Sequence, residues 1–227
     1  IAGVSGFQIH IGGKDIHTSG DLADVLVAMN PAALKKNLKW VRENGTIIID
    51  IDNFDNKHYK KAGYSEDPLN DGSLRGYQII KAPITTITKA SVKDLDAKVA
   101  LKTKNQFVSG MLYFLFNRDL KQGKAFLEEK FKNKPKLIEA NIDVLEAGYH
   151  YAETLEAFQT TYRIISAEKK GSFRNITGNV ATAWGLIAAA EKSGQKLFLG
   201  SYPITPATEI LQELSKRKHL GVKTFQA

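Results

Sequence analysis

Cysteine is absent from all 227 residues, and that removes several kinds of protein at once. No disulfide framework can brace the chain, and no thiolate set can hold zinc or an iron–sulfur cluster. No apolar run approaches the roughly 18–20 residues needed to cross a bilayer, so a membrane role is not expected. The first twenty residues lack a charged stretch followed by an apolar one, so no signal peptide is expected either, although the first residue is Ile rather than Met. Together these features point to the cytoplasm. No Gly-x-Gly-x-x-Gly follows a strand-like run, which argues against a nucleotide-binding dehydrogenase. Histidines are few. His10, His17, His58, His150 and His219 show no spacing of a helical metal site, and the nearest pair, His10 and His17, is weak. No metal site is expected. Ser5 and Ser201 lack a visible His–acid arrangement, so hydrolase chemistry has no support.

What is present describes a globular protein. Hydrophobic residues make up 43% and charged residues 25%, enough to bury a core, and the length suits one large or two small domains. The formal charge is +8, and twelve lysines fall between Lys81 and Lys136, mostly on helix-like faces. Solvated helix surface is the preferred reading, with attraction to an anionic substrate, cofactor or acidic partner as the functional one. Nucleic acid is not expected, because the basic residues are spread out and no aromatic platform accompanies them.

Alternation over Phe7–Ile11, ending at Gly12-Gly13, predicts a strand and turn. The continuous apolar run Val25–Met29 suits a buried parallel strand. Asn30-Pro31 then starts a helix carrying Ala32, Leu34, Leu38 and Val41, with Asn44-Gly45 as its C-cap. Thr46–Ile49 is the next buried strand, so residues 25–49 form a βαβ unit, the generator of parallel sheets. In such sheets ligands bind at the carboxyl ends of strands, where the Asn30-Pro31 corner lies. Residues 52–76 are polar and Gly/Asn/Asp-rich, predicting a surface excursion. Asp50, Asp52 and Asp55 there suit a capped polar turn better than a Mg²⁺ site, although hard cations do favour carboxylates. Tyr77–Ile80 and Ile84–Ile87 are predicted as strand pieces around Pro83. Helices are predicted over 102–116, 121–131 and 135–154, with Gly110 permitting close packing. The aromatics Phe107, Tyr113, Phe114, Phe116 and Phe126 suit core or subunit interface rather than a cofactor box.

Composition shifts near Leu155. The predicted organisation is one α/β domain over 1–155, a linker over 156–174, and a second α/β unit over 175–227. The second unit reads as a helix from Thr177-Gly178-Asn179 to Ser193-Gly194, a strand Lys196–Leu199, a loop, a helix Ala207–Arg217, and a strand Val222–Phe225.

Proline is sparse, six in all, yet two fall within Tyr202-Pro203-Ile204-Thr205-Pro206. Each fixes its own φ and keeps the preceding residue out of the α region, so the loop is stiff. It follows a strand and precedes a helix N-terminus, where anions are favoured. Thr205 offers a hydroxyl there, which suits holding a carboxylate. A rigid strand-to-helix connector would have the same residues, and the physics alone leaves both readings open.

Gly178-Asn179, Ala181, Ala183 and Gly185, followed by Leu197-Phe198-Leu199-Gly200-Ser201-Tyr202-Pro203-Ile204-Thr205-Pro206-Ala207-Thr208-Glu209, resemble the opening of the pyrimidine-type domain in 2-oxoacid:ferredoxin (acceptor) oxidoreductases. Residues 23–30 and 45–50 and the helix from Lys104-Asn105 to Leu115 resemble the gamma domain of the same enzymes. The order of the two is that of the fused alpha subunit of the 2-oxoglutarate type. The resemblance implies an incomplete Rossmann-like gamma domain with a parallel sheet over 1–155, then the start of a thiamine-type pyrimidine-binding α/β domain over 175–227. It implies oxidative decarboxylation of a 2-oxoacid, with 2-oxoglutarate expected and branched 2-oxoacids or pyruvate as the other members of the class. The products would be an acyl-CoA and two electrons for ferredoxin. It further implies thiamine diphosphate shared with a beta subunit, magnesium and iron–sulfur clusters in partner chains only, and coenzyme A as co-substrate. The loop Tyr202, Pro203, Ile204, Thr205 and Pro206 would lie beside the thiamine ring, and Thr205 would touch the substrate. The family's Gly-rich loop would precede Ile1 and its catalytic Glu would follow Ala227, so this chain by itself is not expected to turn over. The competing reading is a non-catalytic anion-binding or subunit-assembly module.

Overall fold

In a computed structural model the described residues are 4–13, 15–92, 96–155, 161–165 and 171–227. Packing divides the chain into two compact units, Ile1–Glu168 and Lys169–Ala227. Of the expected linker, residues 156–160 and 166–170 lie outside the described residues. Within it, Tyr162 donates its amide to the Leu115 carbonyl and stacks on Phe116, both in the first unit.

The first unit is built on a parallel sheet of β1 (Ala23–Ala28), β2 (Val41–Asp50) and β3 (Gln78–Ala82), in the order β1-β2-β3. From Gly45 to Asp50 every residue of β2 is buried, as a central parallel strand requires. The strand period of two sends Ile47 and Ile49 to one face and Ile48 to the other. Ile47 and Ile49 pack with Leu34 of α1 (Pro31–Asn37) and Tyr59 of α2 (Asn56–Ala62). Ile48 packs with Ile80 of β3, Ile84 of α3 (Ile84–Ser91), Phe107 and Met111 of α4 (Ala97–Leu115), and Val144 of α6 (Pro135–Thr154). A short α5 (Lys121–Lys130) lies between α4 and α6. The predicted helix starts at Pro31 and Pro135 are observed, and the Asn30 side chain caps α1 by accepting from the Ala33 amide at 2.9 Å.

Four expectations are corrected. Phe7–Ile11 forms no strand, because no backbone ladder meets it among the described residues. Instead the Gln8 amide donates to Ser19 and Gly20 carbonyls, His10 bonds the Thr18 carbonyl, and Phe7, Ile9 and Ile11 stay exposed. Val41 opens β2 rather than closing a helix, and Asn44-Gly45 sits inside that strand rather than capping α1. The ladder jumps from Ala23↔Val41 to Val25↔Thr46, so Arg42–Gly45 form a bulge whose turn is made by Asn44 at φ 61°. Ile84–Ile87 is helical. Its β-branched residues favour strand, but the free amides of Thr85 and Thr86 are taken by Asp50 and Asp52, which nucleate a helix there. The excursion 52–76 also holds α2, capped by Asp55 and ended by Gly63 at φ 73°, signals readable in the sequence but overlooked. The acidic trio Asp50, Asp52 and Asp55 is thus a set of helix caps.

The helices α4 and α6 touch through glycine, as expected at Gly110. A Cβ on Gly110 would lie 2.0 Å from the Leu145 carbonyl oxygen, and one on Gly148 would lie 1.9 Å from that of Phe107. Reciprocal glycines let the backbones approach and bury Phe107, Met111 and Leu145 completely.

The second unit pairs β4 (Phe198–Ser201) with β5 (Lys223–Gln226) in parallel. Helices α7 (Gly178–Ser193) and α8 (Thr208–Ser215) pack around a small core of Ala183, Leu214 and Val222. The Thr177 side chain caps α7 and Gly194 ends it at φ 67°, as predicted.

Gly148→Ala forces a methyl into the Phe107 backbone, so α4 and α6 must move apart. It should cost about 1–3 kcal/mol, read as a lower urea midpoint at an unchanged slope. An unaltered midpoint would mean the close approach is not needed.

Candidate functional site

Residues 202–207 leave the carboxyl end of β4 and enter α8. Tyr202 and Ile204 are 71% and 59% exposed, so two large apolar side chains face solvent beside Thr205, which is also exposed. The Thr205–Pro206 peptide is cis. Among the described residues no hydrogen bond engages the Thr205 hydroxyl, whereas its neighbours are tied down. Ser201 Oγ donates to the Tyr202 carbonyl at 3.3 Å, and both the amide and the hydroxyl of Thr208 donate to the Ile204 carbonyl, at 2.9 and 3.0 Å. The Ala227 amide donates to the Ser201 carbonyl at 3.0 Å.

The start of α7 holds the loop from outside. Asn179 Nδ2 donates to the Pro206 carbonyl at 2.9 Å and to Glu209 Oε2 at 3.2 Å, and Thr177 Oγ1 donates to the same carboxylate oxygen at 3.1 Å. The Gly178-Asn179 and Glu209 positions quoted for the resemblance therefore meet, which spacing along the chain did not reveal. One turn further on, Glu213 accepts from the Trp184 indole at 3.0 Å and pairs with Arg217 at 2.7 Å, while the Arg217 guanidinium lies over the Trp184 ring. The Trp184 hydrogen bond, then Arg217 and Lys216, hold the Glu213 carboxyl below the ordinary range against the opposing effect of desolvation.

A second feature lies in the first unit. At the carboxyl ends of its strands a cleft of about 360 Å³ is lined by Asn30, Asn53, His58, Lys61 and Lys104, with Met29, Pro31, Ala32 and Ala62. Two of its lining residues, Asn53 and Lys104, are tied to Asp50, which is fully buried at the end of β2. Asp50 accepts from Thr85 Oγ1 at 2.7 Å, the Thr85 amide at 3.2 Å and Asn53 Nδ2 at 2.6 Å, with the Lys104 ammonium 3.7 Å away. A buried carboxylate persists only when partnered this way, and the arrangement aims Asn53 and Lys104 at the cleft. Asp55 beside it is held below the usual range by the His58 amide and then by its imidazole. The sequence pointed to the Asn30-Pro31 corner but missed Lys61 and Lys104, which are 43 residues apart and meet only on folding.

No group of three His, Cys, Asp or Glu able to hold a metal occurs among the described residues, and none of their helices is long and apolar enough to cross a membrane. His10 is engaged by the Thr18 carbonyl, His58 by Asp55 and His150 by Glu153. Of the aromatic stripe, Phe107 is core, Phe114 meets Tyr149 edge-on, and Phe126 is 61% exposed beside Lys130.

A family model described as pyruvate ferredoxin/flavodoxin oxidoreductase matches residues 2–151. The chain is 46% identical over 230 residues to a 2-oxoglutarate oxidoreductase subunit KorA of Mycobacterium tuberculosis (strain ATCC 25618 / H37Rv), covering all of this chain and 35% of that protein. It shares its fold with a solved 2-oxoglutarate:ferredoxin oxidoreductase from Magnetococcus marinus, described with 2-oxoglutarate, coenzyme A and succinyl-CoA bound. The TM-score is 0.71 at 24% identity, over 94% of this chain and 33% of that one. The chain thus spans about a third of the length of each.

Glu213 carries a pH prediction. Its folded pKa is depressed, so its contribution is present above the unfolded value and lost as pH falls through the folded one. Stability around Trp184, followed by fluorescence in a Trp40→Phe background, should therefore decline as pH falls below the ordinary carboxylate range. Glu213→Gln should be less stable at neutral pH and flatter over that range. An equally steep decline in the Gln variant would assign the acid sensitivity to other groups.

Proposed function

Since the chain belongs to the pyruvate ferredoxin/flavodoxin oxidoreductase family, we propose that it is part of the alpha subunit of a 2-oxoglutarate:ferredoxin oxidoreductase, in which residues 202–206 meet the 2-oxoacid and the cofactor. The first unit is the gamma-like domain of this reading and the second the opening of the pyrimidine-binding domain. The observation that carries it is the tied, solvent-facing loop at the end of β4, in which the Thr205 hydroxyl meets no hydrogen-bond partner among the described residues. It occurs in a chain 46% identical to a 2-oxoglutarate oxidoreductase subunit.

Thiamine diphosphate fits this loop. Tyr202 and Ile204 present apolar surface of the kind a ring packs against, and the adjacent Thr205 hydroxyl can reach a polar substrate. The cofactor, when bound, supplies the electron sink for cleavage beside a carbonyl. The chain's own contribution is positional. Pro203 and Pro206 keep the loop from collapsing, Tyr202 and Ile204 exclude water once covered, and Thr205 donates to the substrate's carboxylate or keto oxygen. No cysteine among these 227 residues can hold a cluster, so transfer of electrons to ferredoxin is assigned to groups outside them, with partner chains as the expected holders. A beta subunit completing the cofactor site is the expected partner, in the cytoplasm.

Losing one hydrogen bond to a charged group costs about 1.5–3 kcal/mol, so in the assembled enzyme Thr205→Val should lower kcat/KM for 2-oxoglutarate roughly ten- to a hundredfold. Val keeps the branched shape, so assembly should survive, and Thr205→Ser should retain much of the activity. Turnover of Thr205→Val at the wild-type rate would leave the loop as a rigid connector.

The cleft of the first unit supports a second role within the same function. Its Lys61, Lys104, His58 and Asn53 are donors suited to phosphate groups, and coenzyme A is the phosphate-bearing substrate of the proposed reaction. Lys61→Met should raise the Kd for coenzyme A by about three- to tenfold in calorimetry, while adenosine, which lacks the phosphates, should not compete. An unchanged Kd would return these lysines to solvated surface.

A further inference from the structure

We propose that Asn179 is a positioning residue for the Tyr202–Pro206 loop, and that it sets the orientation of Thr205 through the Pro206 carbonyl. The inference rests on the role given to Thr205 above.

The geometry isolates one group. The Asn179 side-chain amide faces two neighbours that can only accept, the Pro206 carbonyl at 2.9 Å and Glu209 Oε2 at 3.2 Å. Its nitrogen must therefore point at both, whichever way an unconstrained amide would turn. One N–H ties α7 to α8 through Glu209. The other reaches across 27 residues of sequence to the carbonyl of the residue that follows Thr205. Thr177 duplicates the first tie, since its hydroxyl also donates to Glu209. The Pro206 carbonyl otherwise meets only the Glu209 backbone amide of its own turn, at a long 3.5 Å, so Asn179 is the one side chain among the described residues that ties it to another helix. The remaining ties hold the Tyr202 and Ile204 carbonyls, upstream of Thr205. Without Asn179 the downstream side would keep only the backbone bonds of its own turn, Glu209 to Pro206 and Ile210 to Ala207, and would lose its tie to α7.

The two roles of Asn179, holding the helices together and holding the carbonyl, separate by mutation. Asn179→Ala removes both donors without adding charge. Asn179→Asp places an acceptor against two acceptors, destabilising the helix pair and releasing the loop. Adding Glu209→Gln to Asn179→Asp restores the helix tie in reverse, because the Gln amide donates to the new carboxylate, while the Pro206 carbonyl still lacks its donor from α7.

The experiment uses the full-length subunit assembled with its partner, following kcat/KM for 2-oxoglutarate alongside urea unfolding read by Trp184 fluorescence. Asn179→Ala and Asn179→Asp are expected to lower kcat/KM about tenfold or more. The Asn179→Asp/Glu209→Gln double variant is expected to recover the unfolding midpoint without recovering kcat/KM. Recovery of both together would make Asn179 a purely structural tie and overturn the proposal, as would wild-type kcat/KM in Asn179→Ala. Thr205→Val, run in parallel, separates the two levels. If it is slow and Asn179→Ala is not, this inference alone fails. If Thr205→Val matches wild type, the role of the loop fails with it.

Discussion

Strand β2 is buried on both faces from Gly45 to Asp50, and most of the first unit follows from that constraint. A strand with apolar residues on both sides needs a layer of helices on each. The layers are α1 and α2 against Ile47 and Ile49, and α3, α4 and α6 against Ile48. The strand ends on a carboxylate at 0% exposure, and that charge has to be met. Thr85, Asn53 and Lys104 meet it. In doing so they convert a β-branched segment into helix α3 and turn two donors toward the cleft. The burial of one strand thus determines where a polar site forms, at its carboxyl end.

The two units solve the same problem by different means. In the first, α4 and α6 are joined by close packing, with Gly110 and Gly148 admitting the opposite backbone and a large shared core. In the second, Ala183, Leu214 and Val222 are a small core, and polar ties carry more of the load. Asn179 and Thr177 hold Glu209, and Trp184 and Arg217 hold Glu213. Such ties are directional, so they orient the loop between the helices as well as joining them. Apolar packing alone would allow the loop to slide.

That difference suits the proposed chemistry. A site that must distinguish one small acid from another needs hydroxyls and carbonyls held in fixed directions, and the loop of residues 202–206 is tied to α7 and α8 while Tyr202, Ile204 and Thr205 stay exposed. Family membership rests on residues 2–151, whereas the loop lies beyond them, in the stretch shared with the KorA relative. The two lines of support are therefore carried by different parts of the chain.

Much was readable from order alone. The parallel βαβ pattern, the helix starts at Pro31, Pro135 and Thr177, the end at Gly194 and the close approach at Gly110 are local properties, set by side-chain shape and backbone restriction within a few residues. What failed was non-local. Phe7–Ile11 alternates like a strand but meets no ladder, and strand formation needs a partner that alternation cannot name. Ile84–Ile87 has strand-like residues but became helix because Asp50 and Asp52, some 35 residues earlier, supplied the missing caps. The cleft's Lys61 and Lys104, and the hold of Asn179 on Pro206, were invisible for the same reason. A hydrogen bond forms between groups brought within about 3 Å, and for residues dozens of positions apart only the folded chain decides which groups those are.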